Sequence, residues 1–408
     1  MELLDRTFSI CPNCMHTTPV EIMEDYGKVF MKQNCCSERK ILIENDVEFY
    51  KNFILPFKFR DSVPIQNMRA LVNGDAKSRV STYFWVTARC NIQCPICYQA
   101  ENISLPDPIL DDFKILLKRN PSKEILLNGG EPTVRDDLVD IIKLIKSCGK
   151  EVTIITNGLK LKNKKYLKEL IDAGLTNVYI SFDGFDRKTY KLLRGKDLLD
   201  DKLKALSNLK EEKVMTYLAS VVEKNTNFDQ IPKILDYAVL NNDFIDRIWF
   251  SCLYPSTTTC SDIYKELIKY LNVSMKYFYE WKRLYFNTFK SIGKFFGKDL
   301  QQKFTEFTRT AFLFDTKDGE FNPIYIKEYK KMIKLIISYI LRKSNLSPLQ
   351  FRKVRVMRIC VGGIVTPDNI DLCRRLVWTD GIVKLKKPIA GDGGLFEPLR
   401  LPLHLTPQ

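Results

Sequence analysis

From Val80 to Ser251 the chain alternates short apolar runs, dense in β-branched and aromatic residues, with amphipathic stretches whose apolar positions recur at three- and four-residue spacing. The runs predict strands at Ser81 to Thr87, Glu124 to Asn128, Val152 to Thr156, Asn177 to Phe182, Thr216 to Val222 and Arg247 to Ser251. Between them, Asp111 to Lys118, Leu138 to Ser147, Tyr166 to Ala173, Leu199 to Leu209 and Pro232 to Leu240 read as helices. A strand followed by a helix, repeated with short turns, builds a parallel sheet covered by helices, so the fold class is α/β.

The flanks break this rhythm. Gly27-Lys28-Val29-Phe30 reads as a hairpin turn into a strand ending at Cys35-Cys36. Residues 261 to 356 are rich in Tyr, Phe, Ile and Lys at helical spacing, as in KYFYEWKRLYFNTFK, and predict a helical insert with lysines outward. A sharper reading docks these basic helices on a membrane surface or along a long apolar substrate. Cys360 to Cys373 reads as cysteine, strand, Pro-Asp-Asn turn, strand, cysteine. The expected organisation is a Cys-rich module over residues 1–60, a barrel over 75–252, a helical insert over 253–356 and a hairpin with tail over 357–408.

With 408 residues and 45% hydrophobic content, the chain can bury a sizeable core. It shows no basic amino-terminal segment followed by an apolar stretch and no apolar run of spanning length, so a cytoplasmic protein is expected, with peripheral membrane contact as the variant. Two histidines, His16 and His404, argue against histidine-based catalysis, and twelve cysteines without a secretion signal point to metal ligation. The formal charge of +15 is spread along helical faces such as Lys160 to Lys168, which weakens a nucleic-acid reading.

The chemistry concentrates at Cys90, Cys94 and Cys97, a CxxxCxxC triplet directly after the first predicted strand. Three thiolates on one loop anchor three irons of a [4Fe-4S] cube and leave the fourth iron open to a small molecule. A zinc knuckle would show a second matched arm, which does not follow within the next fifty residues. At these residues the chain resembles the radical SAM superfamily, whose cluster binds S-adenosylmethionine and cleaves it to a 5′-deoxyadenosyl radical. The family commonly has an aromatic residue before the last cysteine; here it is Ile96. The resemblance implies a partial (β/α)6 TIM-type barrel whose site lies at the carboxyl ends of the strands. The loops ending in Gly129-Gly130-Glu131-Pro132, Thr156-Asn157-Gly158 and Ser181-Phe182-Asp183-Gly184 all fall there.

The two glycines let backbone approach a bound ligand with no Cβ in the way, and Glu131 adds an acceptor for an ammonium group. By resemblance, Gly129, Gly130 and Glu131 hold the amino group of S-adenosylmethionine. Asn157, Ser181 and Asp183 then face its carboxylate or ribose, with Val221 to Asn225 nearby. No general base is assigned, and Glu131 is a positioning residue.

Further cysteines suggest further metal. Cys11, Cys14, Cys35 and Cys36 resemble a small zinc- or rubredoxin-like module preceding the barrel in some radical SAM proteins, including relatives of tetraether lipid synthases; zinc or iron is expected, with Cys36, His16 or Glu38 completing the site. Cys360 and Cys373 resemble the start of a twitch or SPASM extension. With Cys252 and Cys260 they would hold an auxiliary [4Fe-4S] cluster, the plainer reading being a hairpin with incidental cysteines. Cys148 reads as structural. The expected reaction is hydrogen abstraction from a C–H bond of a large substrate, a lipid chain or a peptide as in the peptide maturases, leading to C–C or C–S bond formation, with a flavodoxin or ferredoxin as reductant. A radical SAM methyltransferase is the alternative within that chemistry. From another class, an RNA-binding or RNA-modifying Fe–S protein predicts salt-dependent RNA affinity. An electron-transfer protein would need a fourth cysteine near the triplet.

Overall fold

The alternating runs become two sheets in a computed structural model that describes residues 1–10, 17–57, 81–97, 106–120, 122–253, 257–295, 311–316, 318–328, 356–363 and 395–397. The first is an antiparallel meander of β1 (Glu2–Ile10), β2 (Thr17–Asp25), β3 (Lys28–Asn34) and β4 (Glu38–Glu44). The turn between β2 and β3 places Tyr26 and Gly27 at φ 50° and 76°, the paired left-handed geometry that suits the twist of a two-residue hairpin. Val20, Ile22, Val29 and Met31 bury one face of this sheet against Tyr50. Tyr50 begins a π turn (Tyr50–Ile54) that continues α1 (Val47–Phe49), while its neighbours Phe49 and Phe53 enter the main core beside Tyr264. One helical segment thus has an aromatic residue in each core.

The second sheet has nine strands. Its centre is the expected parallel run β5 (Ser81–Thr87), β6 (Glu124–Gly129), β7 (Glu151–Thr156), β8 (Leu175–Ser181), β9 (Met215–Val222) and β10 (Ile245–Cys252). The helices between and after these strands are α2 (Leu110–Arg119), α3 (Leu138–Ser147), α4 (Lys164–Ala173), α5 (Arg187–Arg194), α6 (Leu199–Glu211), α7 (Gln230–Leu240), α8 (Cys260–Leu271) and α9 (Met275–Phe295). Alternate strand residues such as Val86, Leu127, Ile154, Ile180, Leu218 and Ile248 pack with Ile141, Leu167, Leu206 and Leu235 of the helices in one buried core. The intervening residues face the barrel lumen, because successive side chains point to opposite faces of a strand. This is the six-unit partial barrel anticipated from the pattern.

Three features correct the sequence reading. Helix α5 was not anticipated: RKTYKLLR is strongly charged, and its helical character shows only in Thr189, Tyr190 and Leu193, which the fold buries. The region expected to be a helical insert also contains a strand, β11 (Ala311–Asp315), antiparallel to β12 (Val356–Gly363). Finally, β12 adds to the barrel sheet as a parallel neighbour of β10, so Cys360 lies in the middle of a sheet strand, while the turn and second strand expected after it lie outside the described residues. On the opposite edge, β13 (Leu395–Glu397) pairs parallel with β5.

In α9 the aromatic residues Tyr277, Phe278 and Trp281 are buried against Phe312, Phe314 and Phe321, and Lys282 lies 3.9 Å from the Phe53 ring centre. The apolar face over these turns is therefore spent on the core, as in the plain insert reading. Among the described residues no helix is long and apolar enough to cross a membrane.

Candidate active site

The cysteine loop leaves the carboxyl end of β5 and is held by backbone on one side and by helix ends on the other. Gly130 N donates to Thr87 O at 2.7 Å and Glu131 N donates to Arg89 O at 2.9 Å, so the loop after β6 extends the ladder into the chain leading to Cys90. A Cβ on Gly129 would stand 2.2 Å from Thr87 O, and one on Gly130 would stand 2.3 Å from Arg89 O. The glycines are thus required by this backbone-to-backbone approach, a reason beyond the approach to a ligand that was expected of them. At the far side Ile92 and Cys94 pack with Tyr190 of α5, Leu198 and Leu199. Gly195, at φ 78° where α5 ends, lies under Gln93 O. The unforeseen helix α5 is the seat of the cysteine loop.

Cys90 is exposed, whereas Cys94 and Cys97 are half-buried. Burial, then the neighbouring Glu131 carboxylate and the other two sulfurs, push the Cys90 thiol up to about 11. Cys94 is also raised by burial, against the charge and hydrogen bond of Arg194. Thiols gathered this way disfavour their own ionisation until a cation joins them, and metal binding then releases their protons. Among the described residues no three Cys, His, Asp or Glu groups converge on a single ion. A cube spreads its anchoring sulfurs wider than one ion does. Three thiols on one loop, crowded electrostatically and backed by a fixed cation, suit three corners of a [4Fe-4S] cluster.

Glu131 is fully buried. Its carboxylate accepts from Thr133 N, the Thr133 hydroxyl, the Thr156 hydroxyl and Asn157 N at 2.6–3.1 Å. Three of these donors converge on Oε1 and one reaches Oε2, so the side chain brackets the ends of β6 and β7 while Oε2 keeps a second acceptor site. Asn157 extends that bracket to the cysteine loop: its Nδ2 donates to Asn91 Oδ1 at 2.7 Å and lies 3.9 Å from Cys90 Sγ.

Asp183 is buried too, and Arg194 grips it with two bonds of 2.7 and 2.9 Å. It also accepts from Val221 N. Its expected role toward the cofactor's carboxylate or ribose is corrected accordingly, since it aligns Arg194, which reaches Cys94. Burial works against the Arg194 charge, and the Asp183 carboxylate more than offsets it. Ser181 is half-buried at the rim, where its hydroxyl accepts from Lys202 Nζ at 2.7 Å. Lys202 also donates to Ser181 O at 2.8 Å and to Asn157 O, tying the ends of β7 and β8 together from beneath. Burial, then Arg194, push its ammonium down to about 7. Arg194 and Lys202 were missed by sequence reasoning because each is one basic residue among many on charged helices; the signal was their helical spacing from buried Tyr190 and Leu199.

The remaining cysteines separate. Cys252 at the end of β10 and Cys260 at the start of α8 have sulfurs 4.0 Å apart. Their mutual hydrogen bond and burial hold Cys252 well above the usual thiol range. Cys360 is in register with Trp249, while Cys252 is in register with Gly363, a difference of about 10 Å along the strands. Cys360 is placed by its backbone alone, and Cys373 lies outside the described residues. Cys35 and Cys36 are exposed between β3 and β4, at the end of the first sheet where β1 passes into β2. Cys11, Cys14 and His16 lie outside the described residues.

Comparison with known proteins points the same way. Residues 86–238 match the model of the Radical SAM superfamily. The chain is 34% identical over 265 residues to a 7,8-dihydro-6-hydroxymethylpterin dimethyltransferase of Methanocaldococcus jannaschii, covering 60% of this chain and 52% of that protein. It is also 34% identical over 168 residues to a probable GTP 3′,8-cyclase of Pyrococcus abyssi, covering 40% of this chain and 54% of that one. The chain thus spans about half the length of these curated relatives. Among solved structures, Streptococcus suis SuiB bound to S-adenosylmethionine is similar at 17% identity and a TM-score of 0.41, over 66% of this chain and 69% of that one. With the cysteine loop, its Gly-Gly-Glu support and the parallel barrel in one place, residues 86–238 are a radical SAM domain.

Proposed function

We propose that this protein cleaves S-adenosylmethionine reductively at a cluster on Cys90, Cys94 and Cys97 and uses the product radical to modify a C–H bond, in a methyltransferase-type reaction. The cluster, when bound, supplies one electron to the sulfonium, whose sulfur–carbon bond opens to a 5′-deoxyadenosyl radical. What carries the reading is the seating of the cysteine loop. Backbone of the Gly-Gly-Glu segment, Asn157 and Arg194 fix it from three sides, at the strand ends where barrels of this kind work. The residues do the rest by placement: Glu131 locks two loops, Arg194 sets a positive charge against Cys94, and Lys202 closes the layer beneath.

The name of the M. jannaschii relative supports one-carbon transfer over the lipid or peptide modification expected from the flanking segments. The long-chain reading also loses support where Phe278 and Trp281 turn inward. We further propose a flavodoxin or ferredoxin as electron donor, and zinc or iron at Cys35 and Cys36 together with Cys11 and Cys14.

Anaerobic reconstitution followed by iron counting and chromatographic detection of 5′-deoxyadenosine, with dithionite and S-adenosylmethionine, tests the reading. Wild type is expected to form 5′-deoxyadenosine and the Cys90/Cys94/Cys97→Ala variant to form none and to lose about four irons per chain. Equal product from both proteins would falsify the assignment.

A further inference from the structure

The buried ion pair at the end of β8 points in one direction, toward the cysteine loop. Asp183 is held from several elements at once. Its N–H donates to the Tyr190 hydroxyl at 3.3 Å, and its carbonyl accepts from Asn227 Nδ2 at 3.1 Å. Its carboxylate accepts from Val221 N at 3.0 Å and from Arg194 Nε and Nη2 at 2.7 and 2.9 Å. Arg194 stands one helical turn after Tyr190 on α5, and its guanidinium also reaches Cys94. Cys94 in turn packs with Tyr190. One helix therefore fixes both the sulfur and the cation beside it, with the balancing carboxylate on the far side.

The other charges at the barrel mouth are disposed differently. Glu131 is the anion that acts on Cys90, and its four donors draw on its charge. Lys202 gives its ammonium to oxygens of Asn157 and Ser181. Arg194 touches an anchoring sulfur, and a guanidinium does not lose its charge at any working pH. Its side chain is 13% exposed, so solvent ions screen it less than a surface charge. A cube that accepts one electron gains one negative charge, with no bond formed or broken. A fixed cation and a donor to sulfur favour that form over the oxidised one.

We propose that the Asp183–Arg194 pair, with its positive end on Cys94, raises the reduction potential of the cluster and so eases entry of the electron that the reaction consumes. Arg194 is a positioning residue in this scheme, acting through Cys94. The inference deepens the proposed function and rests on a cluster at Cys90, Cys94 and Cys97. Because the pair is locked by β8, β9 and α5, its field is in place before the electron arrives and needs no rearrangement.

Redox titration of the anaerobically reconstituted protein with dithionite, followed by electron paramagnetic resonance of the reduced cluster, tests the assignment. In Arg194→Gln the ratio of reduced to oxidised cluster at a fixed potential should fall about tenfold, a shift of about 59 mV to the negative side for a one-electron couple. Arg194→Lys keeps the charge and should recover most of that shift. The double variant Asp183→Asn with Arg194→Gln strands no buried charge and should also move to the negative side, so it carries the test if Arg194→Gln does not fold. The potential is read from the clusters present, and partial loss of iron does not mask it. An unmoved potential in the double variant, or a shift as large in Arg194→Lys as in Arg194→Gln, overturns the proposal. So does complete loss of the cluster from the double variant, which would make Arg194 a structural support of the loop. Failure of the underlying reading shows separately, as a wild type that takes up no cluster or a Cys90/Cys94/Cys97→Ala variant that keeps it.

Discussion

Two sheet ends in this molecule carry thiols on turns, and they are built in opposite ways. At the barrel mouth Cys90, Cys94 and Cys97 are surrounded by buried charge that is already matched: Glu131 with four donors, Asp183 with Arg194, Lys202 with three acceptors. At the end of the first sheet Cys35 and Cys36 stand exposed on a turn between two strands. A metal that only staples a turn needs ligands and little else. A reactive cluster needs a surrounding that does not rearrange when charge changes, and fixed buried dipoles provide it. The contrast in burial is thus a contrast in task.

The largest effect expected is at the matched charges. In Asp183→Asn the Arg194 guanidinium, 13% exposed, loses both of its charged bonds inside the barrel mouth. Breaking one partner of a buried pair costs about 3–5 kcal/mol, and here the stranded cation also touches Cys94. Thermal unfolding of the reconstituted variant should show that loss, with fewer irons retained per chain. A variant that melts and holds iron like wild type would remove the distinction between the two ends.

The barrel was legible in the sequence because its strands are short apolar runs and its helices carry one apolar face, so strand Ser81 to Thr87 and helix Leu138 to Ser147 announced themselves by local pattern. The cysteine triplet was legible for the same reason: its spacing is local. What was hidden depended on partners distant in sequence. Whether Glu131 is open to a ligand depends on Thr156 and Asn157, about twenty-five residues on, and the need for Gly129 depends on where Thr87 O lies. Helix α5 stayed hidden because its buried residues are few and their burial comes from the cysteine loop itself. Likewise the spacing of Cys360 and Cys373 suggested a hairpin, but the choice of β10 as a partner for β12 is a property of the sheet edge.

A smaller effect is expected where the two regions join. Glu44 at the end of β4 is 1% exposed and accepts from Thr259 and Ser261 at the amino end of α8 and from the adjoining Asn45 N. Burial raises its carboxyl from 4.5 to about 7, even against those hydrogen bonds. Between these values the folded chain holds a proton that the unfolded chain has released, so stability falls as pH rises from 4.5 to 7 and then levels off. The shift corresponds to roughly 3 kcal/mol. Melting temperatures of wild type across this window should decline by more than those of Glu44→Gln, which cannot ionise. Parallel profiles for the two proteins would show that the joint does not sense pH.

The smallest effect on the chemistry should come from the exposed thiols. Cys35→Ser with Cys36→Ser removes two candidate ligands on a turn whose strands are already held by the β3–β4 ladder and by the Val20, Ile22, Val29 and Met31 face. About one zinc or iron per chain should disappear from the metal count, with the barrel's cluster intact, because that turn belongs to the first sheet and the cysteine loop to the second. 5′-Deoxyadenosine formation should stay within about twofold of wild type, the range of an exposed substitution away from a packed site. A collapse of that activity, at unchanged barrel iron, would mean that the first sheet helps to build the reactive chamber, and the two ends would then have to be treated as one site.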